Sequence, residues 1–138
     1  MVRFDDISVG DALPELRKVP DRIQLVKYAA GSGDFNPLHY DPDFAQAREI
    51  GDNIVHGRLK YAALGELVSN WLAHGGRIRR IACQYRGMDL RAAPFTCKGT
   101  VTGKRAEVGE RVVDLDIWTE TESGEKTTPG TAVVTLSE

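Results

Sequence analysis

From Gly57 to Ala73 the chain carries a helical pattern that is apolar on more than one side, and few folds accept such a helix. Leu64, Leu67, Val68 and Trp71 recur at i, i+3, i+4 and i+7, while Leu59, Ala62, Ala63 and Leu72 widen the stripe. A helix of this kind has to be wrapped by other structure, because a surface helix keeps one polar face. The pattern predicts a helix with His74 in its last turn, ended by Gly75-Gly76. After Arg77 the texture changes to period two. Ile81, Cys83 and Tyr85 alternate, as do Val113, Leu115 and Ile117, and again Ala132, Val134 and Leu136. Turn signals at Val108-Gly109-Glu110 and Ser123-Gly124 separate these runs, so the second half reads as an antiparallel meander. Such strands have one face on the core and one on water. The expected class is α+β, an antiparallel sheet wrapped around a long central helix.

Shorter elements precede that helix. Residues 11–19 predict a strand stopped by Pro20. Asp21 with Gln24 starts a helix like a capping box, and Ile23, Val26 and Ala30 follow at helical spacing. Gly31-Ser32-Gly33 should end it, and Pro42 to Glu49 reads as a short helix with proline in its first turn. Between the two lies a polar loop in which Asp34, Asn36 and His39 surround Pro37. A carboxylate and an imidazole on a proline-restrained loop can converge on one water molecule. The same residues also suit a plain turn, since Asp and Asn bond nearby backbone amides and Pro fixes φ. His39 with Asp41, Asp43 and His56 could instead hold a metal, but the set lacks the H-x-x-x-H or Cys/His spacings that identify one.

Ile54-Val55-His56-Gly57 offers a second element. If Gly57 opens the long helix, its amide is an unsatisfied donor at the positive end of the dipole. That suits an oxyanion, and glycine lets a ligand approach the backbone. His56 reads as a packing or helix-entry residue. Arg58, Lys60, Arg86 and Arg91 read as surface cations, any of which could meet a phosphate-bearing ligand. Trp71 reads as core and Trp118 as a sheet or interface residue.

A chain of 138 residues is expected to be one domain, residues 1–138, with a core large enough to need no disulfides. Net charge is −2, which gives no basic field for nucleic acid. Cys83 and Cys97 show no C-x-x-C spacing and read as buried small hydrophobes in a reducing compartment. The acidic start MVRFDDISVGD is unlike a signal peptide, and no segment approaches the roughly 20 apolar residues of a membrane span. A cytoplasmic protein is the expectation.

The run Tyr28 to Ala47, with its core SGDFNPLHYD, resembles the signature of MaoC-like dehydratases and R-specific enoyl-CoA hydratases. The downstream IVHG and apolar helix extend the resemblance over nearly the whole chain. It implies a hot dog fold and dimers, usually with two sheets joined edge to edge. It implies that Asp34 and His39 are a catalytic pair, that the Gly57 amide binds a thioester carbonyl, and that Asn36 and Pro37 fix the loop. The implied reaction is reversible hydration of a trans-2-enoyl thioester to a 3R-hydroxyacyl thioester. Coenzyme A or acyl carrier protein would come as part of the substrate, with no metal and no redox cofactor. This chain departs from the family in three places. Gly65 stands where many R-specific hydratases have a serine near the site. Arg58 follows the HG where a hydrophobic residue such as Met is common, so it becomes a candidate for recognising a carboxylate or phosphate. The strand region Tyr85 to Phe95 lacks the Arg-Phe pair often seen before the family's proline. Two alternatives stay open: a non-catalytic thioester-binding subunit of a heteromer with a second hot dog chain, and an acyl-CoA thioesterase.

Overall fold

The period-two segments form one antiparallel sheet, and the apolar helix packs across its inner face. The computed structural model describes residues 2–137. The strands are β1 (Leu16–Lys18), β2 (Gly76–Cys83), β3 (Phe95–Glu107), β4 (Glu110–Thr121) and β5 (Lys126–Leu136). They lie in the order β1-β3-β4-β5-β2, every neighbouring pair antiparallel. Helices α1 (Arg22–Ser32), α2 (Pro42–Gln46) and α3 (Gly57–Leu72) precede β2, and a 3-10 turn covers Pro37–His39. Helix α3 packs against β2, β3, β4 and β5, so the sheet curls around it as a hot dog fold requires.

Alternation decides which side chains meet the helix. Val113, Leu115 and Ile117 of β4 and Ala132, Val134 and Leu136 of β5 join Ala63, Leu64, Leu67, Val68 and Leu72 of α3 in one buried cluster. Burying each of the larger side chains is worth about 1.5–3 kcal/mol. Trp71 is only partly buried at the edge of that cluster. The two predicted turns are hairpins, pairing Glu107 with Glu110 and Glu120 with Lys126. No helix among the described residues is long and apolar enough to cross a membrane. Cys97 is buried, and burial pushes its thiol up to about 12; Cys83 is half-buried, and both are free.

Several local expectations are corrected. The strand predicted over 11–19 is three residues long, because Pro14 cannot donate to a ladder; the preceding stretch bonds to β3 only through scattered contacts such as Leu13 N–H to the Gly99 carbonyl. The short helix ends at Gln46 rather than Glu49. Gly75-Gly76 does not end α3; Ala73 takes the left-handed cap conformation at φ 44. Gly76 instead opens β2, where a Cβ would lie 2.2 Å from the Thr135 carbonyl oxygen. In β3 the alternating Phe95, Cys97 and Val101 are obscured by glycine at 99 and by a register shift between Val101 and Gly103 that sets Lys104 opposite buried Val113. The stretch Tyr85 to Phe95 is mostly not a strand. It belongs to a connection that has to cross from one sheet edge to the far side, since β4 and β5 separate β2 from β3. That connection hydrogen-bonds the chain just ahead of α3, with Val55 N–H to the Asp89 carbonyl at 2.8 Å and Arg91 N–H to the Asn53 carbonyl at 2.8 Å.

Candidate active site

The loop after α1 is built by local bonds that its sequence dictates. Asp21 caps α1 by accepting from Gln24 N–H, and Gly33 closes it in the left-handed conformation at φ 74. Asp34 Oδ1 accepts from Asn36 N–H at 3.3 Å, and Asn36 Oδ1 accepts from Leu38 N–H at 3.1 Å. Pro37 occupies the first turn of the following 3-10 helix, where its missing N–H costs nothing. These bonds carry His39 round to face Asp34.

The two side chains meet at a useful distance. His39 Nε2 lies 3.6 Å from Asp34 Oδ2, too long for a direct hydrogen bond and short enough for both atoms to hold one water. His39 Nδ1 lies 2.8 Å from the Ile54 carbonyl oxygen. A carbonyl only accepts, so Nδ1 carries a hydrogen, and Nε2 is the ring nitrogen left facing Asp34. The His39 side chain is buried and that of Asp34 is 43% exposed, so the pair opens to solvent from the carboxylate side.

The start of α3 backs this pair. His56 is the residue before the first helical turn, and no side chain caps that end. Its fully buried ring stacks on His39 at 3.7 Å between centroids, and its Nε2 donates to the Asp34 carbonyl at 3.2 Å. Gly57 follows, and the Tyr85 ring lies so close that a Cβ here would approach it to 3.1 Å. Arg58 is exposed beside them and makes no ion pair among the described residues. Burial holds the Tyr85 phenol above its ordinary value, and the Arg58 charge opposes that shift.

Other basic residues are not free. Arg91 pairs with Asp52 at 2.7 Å, and Arg86 binds the Gln84 side chain. Lys60 corrects the surface reading outright. It is 2% exposed, 2.7 Å from Asp89 Oδ2 and 2.8 Å from the Gly87 carbonyl, and Thr127 Oγ1 donates to the same carboxylate at 2.6 Å. The sequence held a signal for this. Lys60 lies four residues before Leu64 on the buried stripe, where a charge needs a partner.

The suggested metal set is not assembled. Asp41 caps α2 through Oδ1, accepting from Asp43 and Phe44 N–H. The group that does gather is Asp34, His39 and His56, with donor atoms within 4.8 Å of one another. The two imidazoles stack at 19°, and His56 Nε2–H is already spent on a carbonyl.

Burial first, and the neighbouring His39 second, hold the His56 imidazole below its ordinary 6.5, outweighing Asp34. The unfolded chain therefore takes this proton first as pH falls. Stability from His56 is complete above about pH 6.5 and is lost as pH drops toward the lower folded value. Urea midpoints should fall between about pH 7 and pH 5, and the fall should shrink in His56→Phe. An equal fall in both proteins would remove His56 as its source.

A model described as MaoC like domain matches residues 10–129, and the chain belongs to that family. Among solved structures, the (R)-hydratase from A. caviae involved in PHA biosynthesis is similar at TM-score 0.87 and 28% identity, covering 96% of this chain and 98% of that one. Fatty acid synthase subunit beta of Saccharomyces cerevisiae is 37% identical over 65 residues, 46% of this chain and 3% of the yeast protein. The mitochondrial 3-hydroxyacyl-acyl-carrier-protein dehydratase of Arabidopsis thaliana is 35% identical over 63 residues, 46% of this chain and 37% of that enzyme. The matched stretch is thus a small part of the yeast subunit and just over a third of the plant enzyme.

Proposed function

We propose that the protein is a hydro-lyase that adds water reversibly to trans-2-enoyl thioesters, giving 3R-hydroxyacyl thioesters of coenzyme A or acyl carrier protein. The observation that carries this is His39 Nε2 facing Asp34 Oδ2 across 3.6 Å, with His56 of the helix start directly behind. Water held between them gives up a proton as its oxygen bonds Cβ. The C=C electron pair moves toward the thioester carbonyl, whose growing negative charge the Gly57 N–H receives. The proton then goes to Cα, so the elements of one water are added and nothing is oxidised or reduced. The chemistry needs a base, an acid and a charge sink, which these groups supply without a metal or redox cofactor.

A cavity of about 90 Å³ beside α3, a turn or so beyond Gly57, would take the acyl chain; Leu59, Ala62, Ala63 and Phe95 line it together with Gln24 and the Lys18–Glu66 ion pair. Arg58 meets an anionic group of the substrate, either phosphate of the carrier or carboxylate of the acyl group. Arg58→Ala should then raise KM about tenfold with kcat little changed, the pattern of a lost uniform binding contact. Joining two copies along the open edge of β2 would extend the sheet into a dimer, which light scattering tests.

The deciding experiment follows the enoyl-thioester absorbance of crotonyl-CoA. Loss of the band with the thioester intact and a 3R product supports the proposal. Release of free thiol would make the protein a thioesterase. Binding without conversion, for crotonyl-CoA and for longer and carrier-bound enoyl groups alike, would make it a thioester-binding subunit.

A further inference from the structure

His56 touches all three groups assigned to the reaction, yet it has no place in the chemistry described above. Its Nε2–H is bonded to the backbone carbonyl of Asp34, 22 residues away in sequence. Its face supports the His39 ring, and Tyr28 meets it edge-on at 4.9 Å between centroids. Its own peptide leads into the Gly57 N–H. The other bonds of the loop backbone at 34–36 are short-range, among them Asp34 N–H to Ser32 Oγ, Phe35 N–H to the Gly33 carbonyl and Asn36 N–H to Asp34 Oδ1. Leu38 and His39 are held to residues 53 and 54, and His56 is the tie from Asp34 itself to the start of α3.

We infer that His56 is a positioning residue that sets the spacing of the Asp34–His39 pair from the Gly57 amide, its ring clamped between the Asp34 carbonyl and the His39 face. Hydration requires water and carbonyl donor to be placed against one rigid enoyl thioester, so this spacing belongs to the transition state more than to binding. His39 and His56 must hold opposite tautomers for the clamp to work: Nδ1–H in His39, given to Ile54, and Nε2–H in His56, given to Asp34. The buried Nδ1 of His56 has no partner among the described residues, a cost the ring bears because its other nitrogen is needed.

The inference rests on the proposed hydration, and its test separates the two. In His56→Gln the side-chain amide can still donate to the Asp34 carbonyl, whereas His56→Phe keeps the ring and loses the donor. Crotonyl-CoA hydration by His56→Phe should fall about 10²-fold in kcat with KM changed little, and His56→Gln should recover most of it. A folded His56→Phe with wild-type kcat would overturn the inference, as would equal losses in both variants that track their melting temperatures. A second readout needs no turnover and no variant. Long-range proton–nitrogen spectra of the wild-type histidines should show Nε2–H at His56 and Nδ1–H at His39. Nδ1–H at His56 overturns the clamp whether or not the protein hydrates crotonyl-CoA. The expected tautomers with no turnover would leave the clamp standing and place the failure in the proposed reaction.

Discussion

Asp34→Asn should leave the protein folded and lower enoyl-thioester hydration by about 10³-fold, within the range seen when a general acid–base group is lost. The side chain is 43% exposed and its Oδ1 accepts one backbone N–H, which the amide oxygen can also do, so the loop has no reason to rearrange. What disappears is the charged acceptor facing His39. His39→Ala should lose a similar factor in rate, and it should also lower stability by about 1–3 kcal/mol, because the Ile54 carbonyl is left without its donor. If the two side chains act on one water, the double variant should be no slower than the worse single, since residues working as a unit are not additive. Multiplying losses in the double variant would mean that each acts on a different atom, and full turnover in both singles would end the hydration proposal. Melting temperatures alongside rates keep the two effects apart.

The second large effect is on stability. Lys60→Met should cost about 3–5 kcal/mol, because it leaves the Asp89 carboxylate buried with only the Thr127 hydroxyl to answer it. Asp89 Oδ1 already lacks a partner, so the site has no reserve. The double variant Lys60→Met with Asp89→Leu should regain most of that loss, as replaced buried pairs often do. Denaturant unfolding of the three proteins decides it. A double variant as weak as Lys60→Met alone would show that the lysine matters for something other than its partner.

Local signals in the sequence carry much of the architecture. Asp21 and Gln24 mark a helix start that the Asp21 carboxylate does cap, and the glycines at 31 and 33 mark its end. Alternation in β4 and β5 named the residues that meet the helix, because period two is a property of each strand alone. The turn through Asp34, Asn36 and Pro37 is legible for the same reason: the bonds within it, from Asn36 N–H to Asp34 and from Leu38 N–H to Asn36, each span two residues. Lys60 reads as a surface cation because its partners lie 27 and 29 residues further on, at 87 and 89, and only the closed fold brings them near. The position of His56 was read correctly as a helix entry, but its hold on Asp34 depends on how α1 and α3 pack. β3 is hard to read because glycines stand at 99 and 103 and its register shifts between Val101 and Gly103, which only the paired sheet reveals.

The crossing connection between β2 and β3 makes the site a product of the whole chain. Every group assigned to the reaction lies between positions 34 and 57, which invites the view that the first half is the working part. Yet the wall behind Gly57 is carried by residues 85–89, and these are fastened by Lys60 from one side and by Thr127 of the last strand from the other. Arg86 and Gly87 amides both donate to the Thr127 carbonyl. A nascent chain that has not yet made β5 therefore holds all its reacting atoms but not the fastening of the wall behind Gly57. Competence would come late and all at once, when the final strand closes on the sheet.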